Sequence, residues 1–332
     1  MKVLYIGGTG EISYACVQAG AAAGQEIAVF NRGHNDEPLP PNVRRITGSV
    51  TDDDVYRKLG EERWDAVCQF LAFTTATVER DLEVFSGKTE QYVFISSASA
   101  YEKPPRSHVI SEDTPLVSPY WGYSRAKAET EERLMQAHGE GRLPVTVVRP
   151  SHTYRRRFPS AIINGDHAAW RMRNGKPIVV HGDGTSLWVV THSDDFAVPF
   201  VRLLGNPKAL GQAFHITSDD AWTWDQITQA VGAALGVEPR IVHVPSDTLI
   251  RYNENWLGPL LGDKSWSVQF DNRKVKSVAG DYTCQIAMPE GMKRLAEHYR
   301  HRADDFQPDE QLDALFDRIA AEQAALGGQA RN

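Results

Sequence analysis

Lys2-Val3-Leu4-Tyr5-Ile6-Gly7-Gly8-Thr9-Gly10-Glu11-Ile12-Ser13 is the stretch that decides how this chain folds. A short apolar run leads straight into three glycines, and the apolar spacing then changes to that of a helix over Ile12 to Ala23. Strand, glycine turn and helix in that order bring free N–H groups and the positive end of the helix dipole beside a backbone with no side chains. A pyrophosphate can approach such a turn closely.

Further along, short β-branched runs recur at Glu26 to Phe30, Val43 to Thr47, Trp64 to Phe70, Tyr92 to Ser96 and Pro144 to Arg149, separated by helix-length intervals. That alternation predicts βαβ units with right-handed crossovers, hence an α/β fold with a doubly wound parallel sheet and helices on both faces. Beyond Arg149-Pro150 the pattern loosens, and resumes at Pro177 to Val180, Leu187 to Thr191 and Gln212 to Ile216.

Composition narrows the function. The 332 residues carry a net charge of -7, which speaks against holding nucleic acid or an anionic membrane through a diffuse basic field. No apolar run approaches the roughly 20 residues of a spanning helix. The chain enters a strand at its start instead of a charged-then-apolar leader, so a cytoplasmic protein is expected. Cys16, Cys68 and Cys284 are far apart, and two of them lie in apolar periodic segments, as small buried hydrophobes do in a reducing compartment. The 11 histidines show no HxxxH spacing and the cysteines no CxxC, so no metal is expected.

Two more segments carry chemistry. Val93-Phe94-Ile95-Ser96-Ser97-Ala98-Ser99-Ala100-Tyr101 reads as a strand running out into a serine-rich loop, and Tyr123-Ser124-Arg125-Ala126-Lys127 opens a run of strong helix formers. A spacing of four puts Tyr123 and Lys127 one turn apart on one face. With the glycine turn, these segments resemble the extended branch of the short-chain dehydrogenase/reductase superfamily, the NAD-dependent epimerase/dehydratase family. The likeness continues through Val147 to Tyr154, Gly175 to Ile178, Gly182 to Thr185, Thr191 to Ala197 and Phe270 to Lys274, and so covers nearly the whole chain.

The resemblance implies a Rossmann sheet with a smaller, interleaved C-terminal substrate-binding lobe. Residues 1-152 would form the dinucleotide-binding domain, with returning segments at about 178-216. Residues 153-177 and 217-323 would form the lobe, and 324-332, which lack an apolar face, a disordered tail. It also implies a homodimer through helices at about Ala76 to Phe85 and Tyr120 to Ala137.

By the same resemblance the catalytic residues are Ser97, Tyr123 and Lys127. A phenol with an ordinary pKa of about 10 must drop by roughly 3 pH units, about 4 kcal/mol, to act as a base near neutrality. The Lys127 ammonium and the positive charge of an oxidised nicotinamide both act in that direction. The cofactor would be held by Gly7, Gly10, Glu11, Ile12, Asn31, Arg32, Leu71, Ala72, Tyr123, Lys127, Pro150 and His152. NAD-dependent relatives commonly have a carboxylate where Asn31 stands; its absence, with Arg32 next door to pair a 2′-phosphate, favours NADP over NAD. The third glycine of the family pattern is Ser13 here, which should slightly loosen the packing of helix on strand.

The substrate contacts implied are Ser99, His152 and Trp188. Members that bind nucleotide diphosphates usually have asparagine at the position of His152 and a phosphate-binding arginine at that of Trp188. A tryptophan instead offers a face for stacking on a sugar ring. Arg155-Arg156-Arg157 is read as a solvated turn. The substrate is thus a small sugar-like molecule, nucleotide-linked or free, and the enzyme an epimerase or a net dehydrogenase or reductase. The alternative is a non-catalytic member acting as an RNA-binding or regulatory protein: Phe30-Asn31-Arg32-Gly33 and the stretch from Gly262-Asp263-Lys264 to Lys274 also resemble chloroplast stem-loop RNA-binding relatives.

Overall fold

A computed structural model describes residues 1–34 and 37–329. The first half runs β1 Lys2–Ile6, α1 Ser13–Ala22, β2 Glu26–Asn31, β3 Val43–Thr47, α2 Asp53–Arg57, β4 Ala66–Gln69, α3 Thr75–Phe85, β5 Tyr92–Ile95, β6 Val109–Ile110, α4 Gly122–Gly139 and β7 Val145–Pro150. There follow β8 His152–Tyr154, α5 Gly165–Arg173, β9 Ile178–His181, β10 Leu187–Trp188, β11 Val190–His192, α6 Ser193–Leu203 and β12 Gln212–Ile216. The chain ends with β13 Trp222–Thr223, α7 Trp224–Leu235, β14 Ile241–Val244, α8 Ser246–Tyr252, α9 Leu257–Pro259, a π-helical turn Leu260–Lys264, β15 Gln269–Phe270, α10 Arg273–Ala279, α11 Met288–Arg300 and α12 Glu310–Gln329.

Seven strands form one parallel sheet in the order β12-β7-β5-β4-β1-β2-β3. The chain therefore moves outward one way from β1 and then returns to the other side through β4. Between the carboxyl ends of β1 and β4 the crossovers leave to opposite faces, which opens the crevice where open α/β sheets bind ligands. The alternation in β1 builds both layers. Val3 and Tyr5 point to one face, where they pack with Phe196 and Phe200 of α6 and with α1; Leu4 and Ile6 point to the other, with Leu82 of α3 and Leu134 of α4. The α/β doubly wound architecture implied by the sequence is thus the one observed.

The lobe is interleaved, though differently from the expectation. Of the segment 178-216, only α6 and β12 return to the large sheet; β9 pairs with β14, β10 with β13 and β11 with β8, all in the lobe. A four-residue β-branched run has the same pattern whichever sheet it joins, and here Ile178, Val180, Trp188 and Val190 bury against Trp224 and Met292. The tail also differs. Residues 324–329 continue α12, carried by the helix formers Ala324, Ala325 and Leu326, while 330–332 lie outside the described residues. This last helix is anchored by Arg171, whose side chain is 1% exposed and which pairs with Asp313 and, at 2.7 Å, with Asp317.

Candidate active site

The turn after β1 is shaped for close backbone approach. Gly7 has φ +90°, and a Cβ there would lie 2.7 Å from Leu71 Cγ; at Gly8 a Cβ would lie 2.8 Å from Val29. Only glycine fits the first position without strain. α1 begins with no side-chain cap, so its N–H groups are available to an anion. Ser13 ties this turn together: it is 1% exposed, its Oγ donates to Gly7 O at 2.5 Å and accepts from Gly10 N at 2.9 Å.

A cleft of about 920 Å³ opens from this turn and is lined by Gly7, Gly10, Asn31, Arg32, Leu71 and Phe73. Its size and its cradle of glycines at a helix start fit a dinucleotide. Asn31 Oδ1 accepts from Gly33 N at 3.0 Å, and Arg32 is exposed at the rim. Glu11 and Ile12 stand outside this lining. Glu11 instead holds the far side of the crevice, its carboxylate accepting from Arg155 N at 3.0 Å and Arg156 N at 2.9 Å. The expected solvated arginine turn is therefore tied down. Both Arg155, at 3.1 Å, and Arg156 pair with Glu37, whose side chain is 2% exposed.

Tyr123 and Lys127 lie in the first two turns of α4, which starts at Gly122 because Trp121 stays extended at its N-cap. Lys127 is 2% exposed and donates to Ala72 O and Ile95 O, both at 2.8 Å, so its ammonium sits across the ends of β4 and β5. Burial pushes that ammonium down to about 7. Tyr123, half-buried, has the Ser97 hydroxyl near its phenol, with Trp121 5.0 Å away on one side and Phe73 6.5 Å away on the other. In the unliganded protein its phenol is raised above the ordinary value: burial dominates, the Ser97 bond opposes it, and the Asp263 carboxylate adds to the rise. Lys127 alone does not make this phenol acidic, since burial acts on both groups. Ser124 Oγ donates to Ser99 Oγ at 2.9 Å, and Ser99 Oγ lies 2.9 Å from Ser97 Oγ, which joins the three serines in one chain of hydroxyls that ends near the Tyr123 phenol.

Residues 3–217 match the profile of the NAD dependent epimerase/dehydratase family. The chain belongs to that family. It is similar to 2'-dehydrokanamycin reductase of Streptomyces kanamyceticus, 28% identical over 289 residues that are 85% of this chain and 80% of the relative. It is also similar to the chloroplast stem-loop binding protein of 41 kDa b of Arabidopsis thaliana, 30% identical over 261 residues, 73% of this chain and 65% of the relative. Among solved structures it superposes on UDP-glucose 4-epimerase from Bifidobacterium longum, in complex with NAD+ and UDP, with a TM-score of 0.74 at 17% identity, covering 92% of this chain and 100% of the other.

In this member of the epimerase/dehydratase family a second pocket, of about 280 Å³, adjoins Tyr123. Ser97, Ser99, Tyr123, Pro150, His152 and Trp188 all line it. His152 Nδ1 accepts from Trp188 Nε1 at 3.3 Å, and burial, with the Lys264 ammonium adding, holds its imidazole down to about 3. The ring is neutral at physiological pH, with Nε2 carrying the proton. Trp188 stacks on Trp224 at 5.7 Å.

Sequence reasoning missed four residues that line the same pocket: Lys103, Trp121, Asp263 and Lys264. Lys103 stands in a polar loop and the other three in segments with no periodic signal, so nothing in the pattern marks them as buried. Among the described residues no group of three or more His, Cys, Asp or Glu could hold a metal, and no helix is long and apolar enough to cross a membrane.

Ser13→Ala tests the reading of the glycine turn. Losing both bonds should lower stability by about 1–2 kcal/mol and free the Gly10 N–H, so that thermal melting falls while cofactor affinity changes less than about threefold by calorimetry. A collapse of affinity at unchanged stability would show instead that the Ser13 hydroxyl itself holds the cofactor.

Proposed function

We propose that this protein is an NADP-dependent oxidoreductase that moves a hydride between the nicotinamide and a hydroxyl-bearing carbon of an unphosphorylated, sugar-like ring. One observation carries the reading: Phe73, in the wall of the dinucleotide-sized cleft, lies 6.5 Å from Tyr123 and 4.7 Å from the buried Lys127 ammonium, and Tyr123 with Ser97 lines a pocket the size of a single ring. A binding-only role has no use for that convergence.

When bound, the cofactor supplies the hydride donor or acceptor and, when oxidised, a positive charge. The chain does the rest. Tyr123 Oη takes the proton from the substrate hydroxyl, or returns it in reduction, and Ser97 Oγ donates to the developing carbonyl oxygen. Lys127, fixed through Ala72 O and Ile95 O, would hold the cofactor ribose through its third N–H when protonated. His152 offers its Nε2 proton to a ring hydroxyl. Trp188 and Trp121 close the pocket against water.

NADP is favoured by Arg32 at the rim of the cleft and by the uncharged Asn31 beside it. Glu37, the carboxylate in the same lining, is already matched by Arg155 and Arg156. The small pocket and Trp188 support a free ring over a nucleotide-linked one; the similarity to a protein named a reductase supports, for the type of reaction alone and not for the substrate, a net reductase or dehydrogenase. The reading includes a homodimer through α3 and α4, which lie side by side on one face of the sheet and are joined by the Arg133–Glu79 pair.

The direct test is a screen of free sugars, methyl glycosides and sugar nucleotides with NADP and NAD, followed by nicotinamide absorbance. The expected result is turnover of an unphosphorylated sugar with a higher kcat/KM for NADP. Turnover confined to sugar nucleotides would contradict it.

A further inference from the structure

We propose that Lys103, Asp263 and Lys264 determine specificity in the ring-sized pocket, selecting an uncharged polyhydroxylated ring against both aminated and phosphorylated ones. The proposal rests on the oxidoreductase reading above and names the substrate class of that site.

The three charges are placed, not incidental. Lys103 is 4% exposed and has one hydrogen bond, to Tyr101 O at a long 3.3 Å, while burial lowers its pKa and the Asp263 carboxylate opposes that. An ammonium so buried needs further acceptors, and the space before it is the pocket. Asp263 and Lys264, with side chains 14% and 13% exposed, pair at 3.2 Å in the same lining. Lys264 Nζ also lies 5.8 Å from the ring centres of Trp121 and of Trp188, so it tethers the two indoles that flank the cavity.

The segment presenting Asp263 and Lys264 is built for the task. It is a π-helical turn, a geometry that recurs at functional sites. Gly258 and Gly262 let it lie flush on Trp121; a Cβ at these positions would come within 2.3 Å and 2.8 Å of that side chain. The Lys264 carbonyl is held by two ring donors, His181 Nε2 at 2.9 Å and Trp224 Nε1 at 3.2 Å, and Trp266 Nε1 donates to Leu261 O at 2.6 Å. A turn clamped at three points does not serve a merely solvated pair.

Charge decides the class. With two ammonium groups and one carboxylate in the lining, an amino group on the ring meets net repulsion, and Lys264 is already matched by Asp263. A phosphate dianion would find one unmatched cation, Lys103, and leave half of its charge uncompensated in the pocket. A neutral diol satisfies both, one hydroxyl accepting from Lys103 and its neighbour donating to Asp263, while the apolar C–H face packs on an indole.

The test uses the full chain saturated with NADP. Calorimetric Kd values are measured for methyl glucoside, galactoside and mannoside, for their 2-amino-2-deoxy counterparts and for their 6-phosphates. At least one neutral glycoside should bind tenfold or more tighter than both of its charged counterparts. Asp263→Asn and Lys103→Met should each weaken that glycoside tenfold or more and leave the Kd for NADP within twofold; Lys103→Arg, which keeps the charge should Met disturb folding, should recover most of the loss. Preference for an amino or phosphate form, failure of every neutral glycoside to bind, or unchanged Kd in the Asp263 variant would overturn the assignment. Glycoside binding in a protein that does not bind NADP would support the pocket assignment and count against the oxidoreductase reading alone.

Discussion

Tyr123→Phe is expected to lower kcat by about 10²–10⁴-fold and to leave the Kd for NADP almost unchanged. The phenol oxygen is the group of that side chain that interacts with Ser97, whereas the ring packs between Trp121 and Phe73 and would do so equally well in phenylalanine. Loss of turnover without loss of fold or of cofactor is therefore the signature of a proton-transfer group. Activity retained within tenfold would remove Tyr123 from that role.

Lys127→Met has the second large effect, and there opposing terms must be weighed. The substitution leaves Ala72 O and Ile95 O without their donor, at about 1–3 kcal/mol for each buried acceptor. It also removes a buried ammonium whose pKa is pushed from 10.5 to about 7, a penalty on the order of 4 kcal/mol. These nearly cancel, so stability at pH 7 should change little while kcat/KM falls by about 10²-fold or more. The pH dependence follows from linkage. Between about 7 and 10.5 the unfolded lysine is protonated and the folded one is not, so unfolding takes up a proton and the wild type gains stability with rising pH. Denaturation near pH 7 and near pH 9.5 should show the wild type gaining on the variant; a constant gap would mean that Lys127 stays charged in the fold.

The parts legible in the sequence are those set by local pattern. The run Val43–Thr47 became a strand over its expected residues because β-branched side chains favour it and turn residues bound it. Tyr123, Lys127 and Ser97 could be placed together because a helix turn and a strand end fix their directions whatever surrounds them. What could not be read depends on tertiary packing. Lys103 and Asp263 look like solvated charges until the fold buries them in the lining they share with Trp121 and Trp188. Nor does the sequence show that the Ser13 hydroxyl reaches Gly7 O and Gly10 N and ties the glycine turn together. The arginines after Tyr154 were expected in solvent, and Glu37, over a hundred residues away in the chain, draws two of them in.

The effect of burial on Tyr123 is the sharpest instance. Its neighbour Lys127 was expected to make the phenol acidic, but in the unliganded protein the dry surroundings raise it. Under the proposed mechanism a positive nicotinamide would have to bring it down, which would restrict the base to the loaded enzyme.

That dependence is measurable by carbon NMR of ring-labelled tyrosine, with Tyr123 assigned from the Tyr123→Phe spectrum and titrated with and without NADP+. The account predicts titration above the ordinary phenol range in the free protein and near neutrality once NADP+ is bound. A Tyr123 signal that still titrates above pH ~10 in the complex would contradict it.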